Sequence, residues 1–144
     1  MRRDRYGSAL SAGAIAILVT SCAGAVSDEY VIENNPGGVE HIEGSELSRV
    51  SLTEQAMERL DVQTTEVDES RSGVVVPQAA VFVDPDGRWW VYTNPEPFIF
   101  VRHEIEIERE RGRRVFLSSG PRAGTEVVVV GVAELYGIEA EVSH

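Results

Sequence analysis

The chain has 144 residues, room for one domain, with a formal charge of −11 and a pI near 4.7. That balance argues against a nucleic-acid partner, because a phosphate-binding surface needs clustered positive charge. All thirteen cationic residues are Arg, a bias read as genome composition, since most solvated positions have no bidentate partner to fix the choice between Arg and Lys.

The first residues, MRRDRYGS, form a basic head, and Ala9–Val19 is an apolar run. The run is near half the ~20 residues that a membrane-spanning helix needs. A basic head, a short apolar stretch and then small residues predict an export signal over 1–21. Val19-Thr20-Ser21-Cys22 resembles the bacterial lipoprotein box, in which the cysteine becomes the lipid-modified first residue. That implies a protein anchored by lipid to the outer face of the cytoplasmic membrane. Cleavage at the Ala23-Gly24-Ala25 stretch, giving a free secreted protein, is the alternative. The chain has a single Cys, so no internal disulfide can form. The leader carries three Arg and one Asp, so its removal leaves the remainder still more acidic. Anionic headgroups repel such a body, which is expected to stand off the membrane on its tether.

Residues 22–46 are acidic, with Asn-Asn-Pro-Gly-Gly at 34–38, and read as linker in which Tyr30-Val31-Ile32 is a candidate docking strand. A domain over 47–144 follows. Ser51 with Glu54 reads as a capping box, and Leu52, Ala56 and Leu60 recur at helical spacing, which predicts one short helix over 52–60 ended by Asp61. Residues 62–67 return to strand chemistry.

The rest reads as strand after strand. The apolar segment 73–83 contains Pro77, which predicts an edge or bulged strand. Asp84-Pro85-Asp86-Gly87 reads as a turn into a strand over 88–93, together a hairpin. Glu104 to Glu108 alternates strictly with Ile105 and Ile107, placing isoleucines inward and glutamates in water. Arg111, Arg113 and Arg114 are expected across from those glutamates, flanking a strand over 115–119. Four valines, 127–130, stand between Gly124 and Gly131, and residues 137–143 form a last piece. Turn signals about every ten residues predict a mainly β fold, a small antiparallel barrel or sandwich of about six to eight strands with one short helix.

Chemistry is sparse. HEIEI at His103 has Ile107 where the zinc-protease motif needs its second His, and it lies on a strand rather than a helix. The Glu104, Glu106 and Glu108 stripe reads as a solvated face rather than a cation site. The DPDG turn has its Gly at the fourth position, where a calcium loop needs it at the sixth. His41, His103 and His144 are scattered, and Met57 is the only methionine beyond Met1. No nucleophile setting or phosphate-cradling loop is present, so no catalytic residue, metal or cofactor is expected, and the chain does not read as an enzyme. Trp89 and Trp90 must point to opposite faces of their strand. Either one is an exposed anchor for a partner, or both faces are covered.

In order, these segments resemble the membrane-proximal domain of bacterial periplasmic adaptors, the membrane fusion proteins of resistance-nodulation-division and related efflux pumps. The resemblance rests on LSSGPRAGTEVVVVG at 117–131 with Leu135, VPQAAVFVDPDGRWWVYT at 76–93, FVRHEIEI at 100–107, and VSLTEQAMERLDVQTTEV at 50–67, where Asp61 stands at a position usually Gly. It implies docking on an inner-membrane transport permease of the resistance-nodulation-division or ABC type, with Trp89, Trp90, Tyr92 and Phe98 as candidate contacts, and leaves homo-oligomerisation open. Adaptors carry lipoyl, helical-hairpin and barrel domains between the entry segment and the closing strands. Here only residues 68–73 fill that interval. On this reading the valine strand is paired on both edges, with Val127 and Val129 inside the barrel and Val128 and Val130 under a helix, the linker or a partner. Two other functions compete: a small-ligand or metal-binding envelope lipoprotein, and a structural envelope lipoprotein with no transport role.

Overall fold

The computed structural model describes residues 37–142. The leader, Cys22 and the candidate strand Tyr30-Val31-Ile32 lie outside the described residues, as does His144.

The fold is mainly β, a nearly closed antiparallel sheet with a barrel-like shape and two helices. Its strands are β1 (Gly37–His41), β2 (Ser48–Leu52), β3 (Gln63–Glu66), β4 (Asp68–Ser70), β5 (Gly73–Pro77), β6 (Phe82–Val83), β7 (Trp89–Glu96), β8 (Ile99–Arg111), β9 (Arg114–Ser119) and β10 (Glu126–Val130). The helices are α1 (Glu54–Leu60) and α2 (Val132–Val142).

The main sheet runs β3-β10-β7-β8-β9-β5-β4, with β1 and β2 added on β8 and β6 on β7. Its two ends, β3 and β4, are consecutive in the chain, so Val67 between them is where the sheet comes round on itself. Val67 is buried, donates its N–H to the Thr125 carbonyl at 2.8 Å and accepts from the Gly124 N–H at 2.9 Å. The chain then continues directly into the short bridge over 68–73. β4 and β5 form a hairpin with Arg71 and Ser72 as its turn, Ser70 opposite Gly73. Gly73 has φ +146, and a Cβ there would collide with the Leu117 carbonyl oxygen, so the close approach of β5 to β9 requires glycine.

The valine strand β10 pairs antiparallel with β3, Val127 opposite Thr65 and Val128 opposite Thr64, and on its other edge with β7. Its two faces enter different cores. Val127 joins Val67, Val76, Ala80, Val91, Ile105, Val115 and Leu117 inside the barrel, and Val129 packs against them. Val128 joins Val50, Leu52, Ala56, Tyr92, Phe100 and Leu135 beneath the two helices. Val130, expected to be covered, is 38 % exposed beside a bulge between Val128 and Val130. Gly131, with φ +93, turns the chain into α2, and a Cβ there would lie 2.9 Å from the Val62 side chain.

Five sequence expectations need correction. The sheet already includes Gly37–His41, upstream of 47, because β1 pairs with β2 along its whole length. The N-cap of α1 is Thr53, whose hydroxyl accepts from the Ala56 N–H at 3.1 Å. Ser51 is not the cap, since it lies in β2 and exchanges hydrogen bonds with Gly38. Residues 73–83 form two short strands separated by a 3-10 turn at Gln78–Ala80, with Pro77 ending β5. The last piece belongs to a helix, α2, a second one beside the single helix expected. Finally, the arginines after the turn do not sit across from the glutamates: Glu106 faces Ser119 and Arg111 faces Arg114. Asp61 does end α1, in the left-handed conformation with φ 49, its N–H donating to the Glu58 carbonyl at 3.2 Å.

Candidate functional site

Polar chemistry concentrates where the β6–β7 hairpin meets β8 and α2. The turn begins with Asp84, whose N–H donates to the Arg88 carbonyl at 2.9 Å and whose carbonyl accepts from the Gly87 N–H at 3.0 Å. One carboxylate oxygen accepts from the backbone N–H groups of Asp86 and Arg88, at 3.0 and 2.9 Å. The other accepts from the Trp90 indole N–H at 2.9 Å and the Arg88 Nε at 3.1 Å. Burial pushes the Asp84 pKa up. The Arg88 backbone N–H, the Trp90 indole and the Arg88 charge outweigh it, so the net value lies below the ordinary carboxylate range. DPDG is thus a turn whose first side chain anchors a buried tryptophan.

Trp90 is 3 % exposed. The Arg88 and Arg102 guanidinium carbons lie 5.2 and 4.8 Å from its ring centroid, within cation-π range. Arg88 also reaches Glu46 at 3.0 Å and Asp86 at 3.4 Å. Arg102 Nε donates to one oxygen of Glu139 at 3.0 Å, and the Tyr92 hydroxyl donates to the other at 2.5 Å. Glu139, on α2, is buried, so an ion pair and a tyrosine latch the last helix to the sheet. Burial, then the hydrogen bond to Glu139, raises the Tyr92 pKa above the ordinary tyrosine value. Its hydroxyl therefore stays protonated and remains a donor.

Outside this cluster is an open cleft of about 350 Å³, lined by the β1–β2 turn (Ser45, Glu46, Leu47) and by Arg88, Arg102 and His103, among others. His103 is exposed on the rim, and desolvation lowers its pKa. Asp84 and Glu139 each accept hydrogen bonds on both carboxylate oxygens, which suits them to hold structure. Among the described residues, no three of His, Cys, Asp and Glu converge on a point that would hold a metal ion.

Of the four aromatic contact candidates, the fold uses two internally. Trp90 and Tyr92 are buried among the protein's own side chains, at 3 % and 0 % exposure; Tyr92 is also stacked on Phe82 at 5.1 Å. Trp89 and Phe98 are exposed, at 43 % and 42 %. They do not make one patch, since they mark opposite ends of β7, on the order of 20 Å apart at ~3.3 Å per residue. Trp89 stands beside exposed Val83 in the β6–β7 pair. Phe98 lies in the two-residue turn between β7 and β8 with φ 64, a rare conformation for a bulky residue. Asn94 Nδ2 donates to the carbonyls of Glu96 and Ile99, and the Leu52 N–H donates to the Phe98 carbonyl, so the strained turn is pinned from both sides. The Asp84 anchor and the Glu139 latch were not singled out from the sequence. An Asp opening a turn six residues before a strand Trp is a usable signal for the first; nothing local announces the second. No family model matches the chain, and no curated protein matches its sequence.

Proposed function

We propose that this chain is a non-catalytic docking module of the membrane-proximal adaptor type, exported and lipid-anchored through Cys22, that binds an inner-membrane transport permease. The observation that supports it most is the junction of β3 with β10. Those strands come from the two sequence segments that resemble the widely separated entry and closing parts of an adaptor. They pair in one sheet, and the interval between the two segments is reduced to residues 68–73, which turn at Arg71 and Ser72. The contact residues under this reading are Phe98, presented in a strained turn, and Trp89 with Val83 at the other end of the hairpin.

Capture of the full-length chain from detergent-solubilised membranes of its native host tests the reading. A permease component should co-purify, and Phe98→Ala with Trp89→Ala should deplete it at least tenfold; recovery of the chain without any permease overturns the proposal. The cleft beside Trp90 favours a second reading, a small-ligand receptor, because its volume falls within the usual range for ligand sites. A thermal-shift screen against drug-like molecules and divalent metals separates the two, since a specific ligand of the receptor raises Tm by several degrees.

A further inference from the structure

The far end of the β8–β9 hairpin reverses the charge of the molecule. Up to Ile107 the alternation of β8 holds, with Ile105 and Ile107 facing the barrel core. The ladder then slips: Ile107 lies opposite Leu117 but Arg109 lies opposite Phe116, so Glu108 is an extra residue in a bulge. Beyond the bulge the phase is inverted. Phe116 stands between the inward Val115 and Leu117 and so faces outward, and Arg109 joins it there. Arg111 and Arg114 lie directly opposite each other. The Arg109 and Arg114 guanidinium carbons lie 4.2 and 5.8 Å from the Phe116 centroid, which holds two of the three cations over one ring.

Like charges directly across a strand pair are unfavourable. Among the described residues, Glu108 and Glu110 flank them in sequence, but Glu110 pairs with Val115 on the other face and close ion pairs are lacking. Arg109 has only a long contact to Glu108, Arg114 only one to Asp68, each 3.8 Å, and Arg111 and Arg113 make no ion pair among the described residues. A protein with 24 acidic residues has ample means to neutralise this arm, yet the bulge turns arginines outward. We infer that the β8–β9 arm is a contact for anionic phospholipid headgroups, which Arg109, Arg111 and Arg114 approach together around Phe116. A bilayer fits better than a small anion, because the three cations lie exposed along a strand pair. The net charge of −11 does not forbid this. Screening limits repulsion to about 10 Å at 0.1 M salt, so an arm that meets the surface end-on is governed by its own charges. The bilayer then orients the barrel, and this holds whichever protein the other end binds.

The test uses the full chain with Cys22→Ser, so that no acyl group contributes, compared with the same chain carrying Arg111→Gln and Arg114→Gln. Both keep the same leader, so only the arm differs. Partition onto vesicles with about 30 % phosphatidylglycerol at about 50 mM salt should fall roughly 30-fold in the variant, the loss expected of two near-surface arginines. The difference should vanish at about 0.5 M salt and on pure phosphatidylcholine. The variant's Tm should be equal or higher, since a repulsive pair has been removed. Equal partition of the two chains on phosphatidylglycerol, or a difference that survives high salt, overturns the inference. Tighter binding to polyglutamate than to vesicles of equal charge also overturns it, in favour of an acidic protein partner.

Discussion

The two faces of β10 look onto unlike interiors. Val127 enters a cluster made wholly of aliphatic side chains, mostly valine, which the strands and the 3-10 turn at Gln78–Ala80 line. One residue on, Val128 enters a layer that holds Tyr92 and Phe100, closed by two short helices and bordered by the Arg102–Glu139 ion pair. The inner cluster is shaped mostly by the sheet, and β-branched residues suit it because they pack on a pleated surface. The outer layer needs something that fixes where a helix lands, and directional polar contacts supply it. The inner cluster therefore sets stability, and the outer layer sets arrangement.

The largest effect that tests this division is at Leu117, 1 % exposed in the inner cluster. Leu117→Ala should lower the unfolding free energy by about 4 kcal/mol, because the surrounding strands cannot close on the cavity. Leu135→Ala, on α2 in the outer layer, removes the same atoms but should cost about 3 kcal/mol, since a terminal helix can settle. Urea denaturation gives both numbers, and hydrogen exchange shows where the loss falls. Global loss of protection in both variants would erase the distinction. Confinement of the Leu135→Ala loss to α2 and its neighbours would sharpen it.

The same division explains what could be read from the sequence. The inner cluster was legible because it follows strand periodicity: Ile105 and Ile107 by alternation, Val127 and Val129 by the same rule, and the turn at Asp84 by its Pro and Gly. The outer layer was legible in halves. Alternation correctly sent Trp89 and Trp90 to opposite faces, but which of them is buried depends on Asp84 and α2. The last helix itself gave little notice: Val132–Val142 opens and closes with β-branched residues and has Gly137 at its centre. It is helical because Leu135 and Glu139, four residues apart, land on one face against Phe100, Tyr92 and Arg102, which is a tertiary fact. β1 was hidden for a related reason, since its two glycines and its acid resemble linker until β2 is there to pair with. The basic face of the β8–β9 arm was hidden by the bulge at Glu108, which composition and periodicity do not register.

A smaller effect is expected at the ion pair. Glu139→Leu leaves Arg102, 14 % exposed in its side chain, without its acceptor and Tyr92 without its partner. Breaking a fully buried pair costs about 3–5 kcal/mol; with Arg102 retaining some water, about 2 kcal/mol is expected. Adding Arg102→Leu should restore most of that, because an apolar pair of similar size is often as stable as a buried salt bridge. A double-mutant cycle in urea measures the recovery. If the double variant keeps its stability but α2 loses hydrogen-exchange protection, the ion pair specifies where the helix docks. If it loses the sum of both single effects, the pair is an ordinary part of the stabilising core and the contrast between layers weakens.

The smallest effect is at Asp84, and it is read from how stability depends on pH in acid. Its folded pKa lies below the ordinary value, the donors from Arg88, Trp90 and Asp86 outweighing desolvation. A depressed folded value means that the unfolded chain takes up the proton first. Its contribution is therefore complete above the unfolded carboxylate pKa of about 4, declines as pH falls below that, and is gone once the pH has passed through the folded value. Asp84→Asn keeps an acceptor oxygen but has no such titration, so its stability should fall less steeply between about pH 4 and pH 2 than that of the parent chain. Trp90 fluorescence reports the same window locally, because its indole N–H loses a charged acceptor when Asp84 is protonated. An unchanged acid slope in Asp84→Asn would mean that the carboxylate is not what holds Trp90 against the outer layer. Parallel fluorescence and stability changes in the parent chain would tie the β6–β7 turn to the layer that Glu139 closes from the other side.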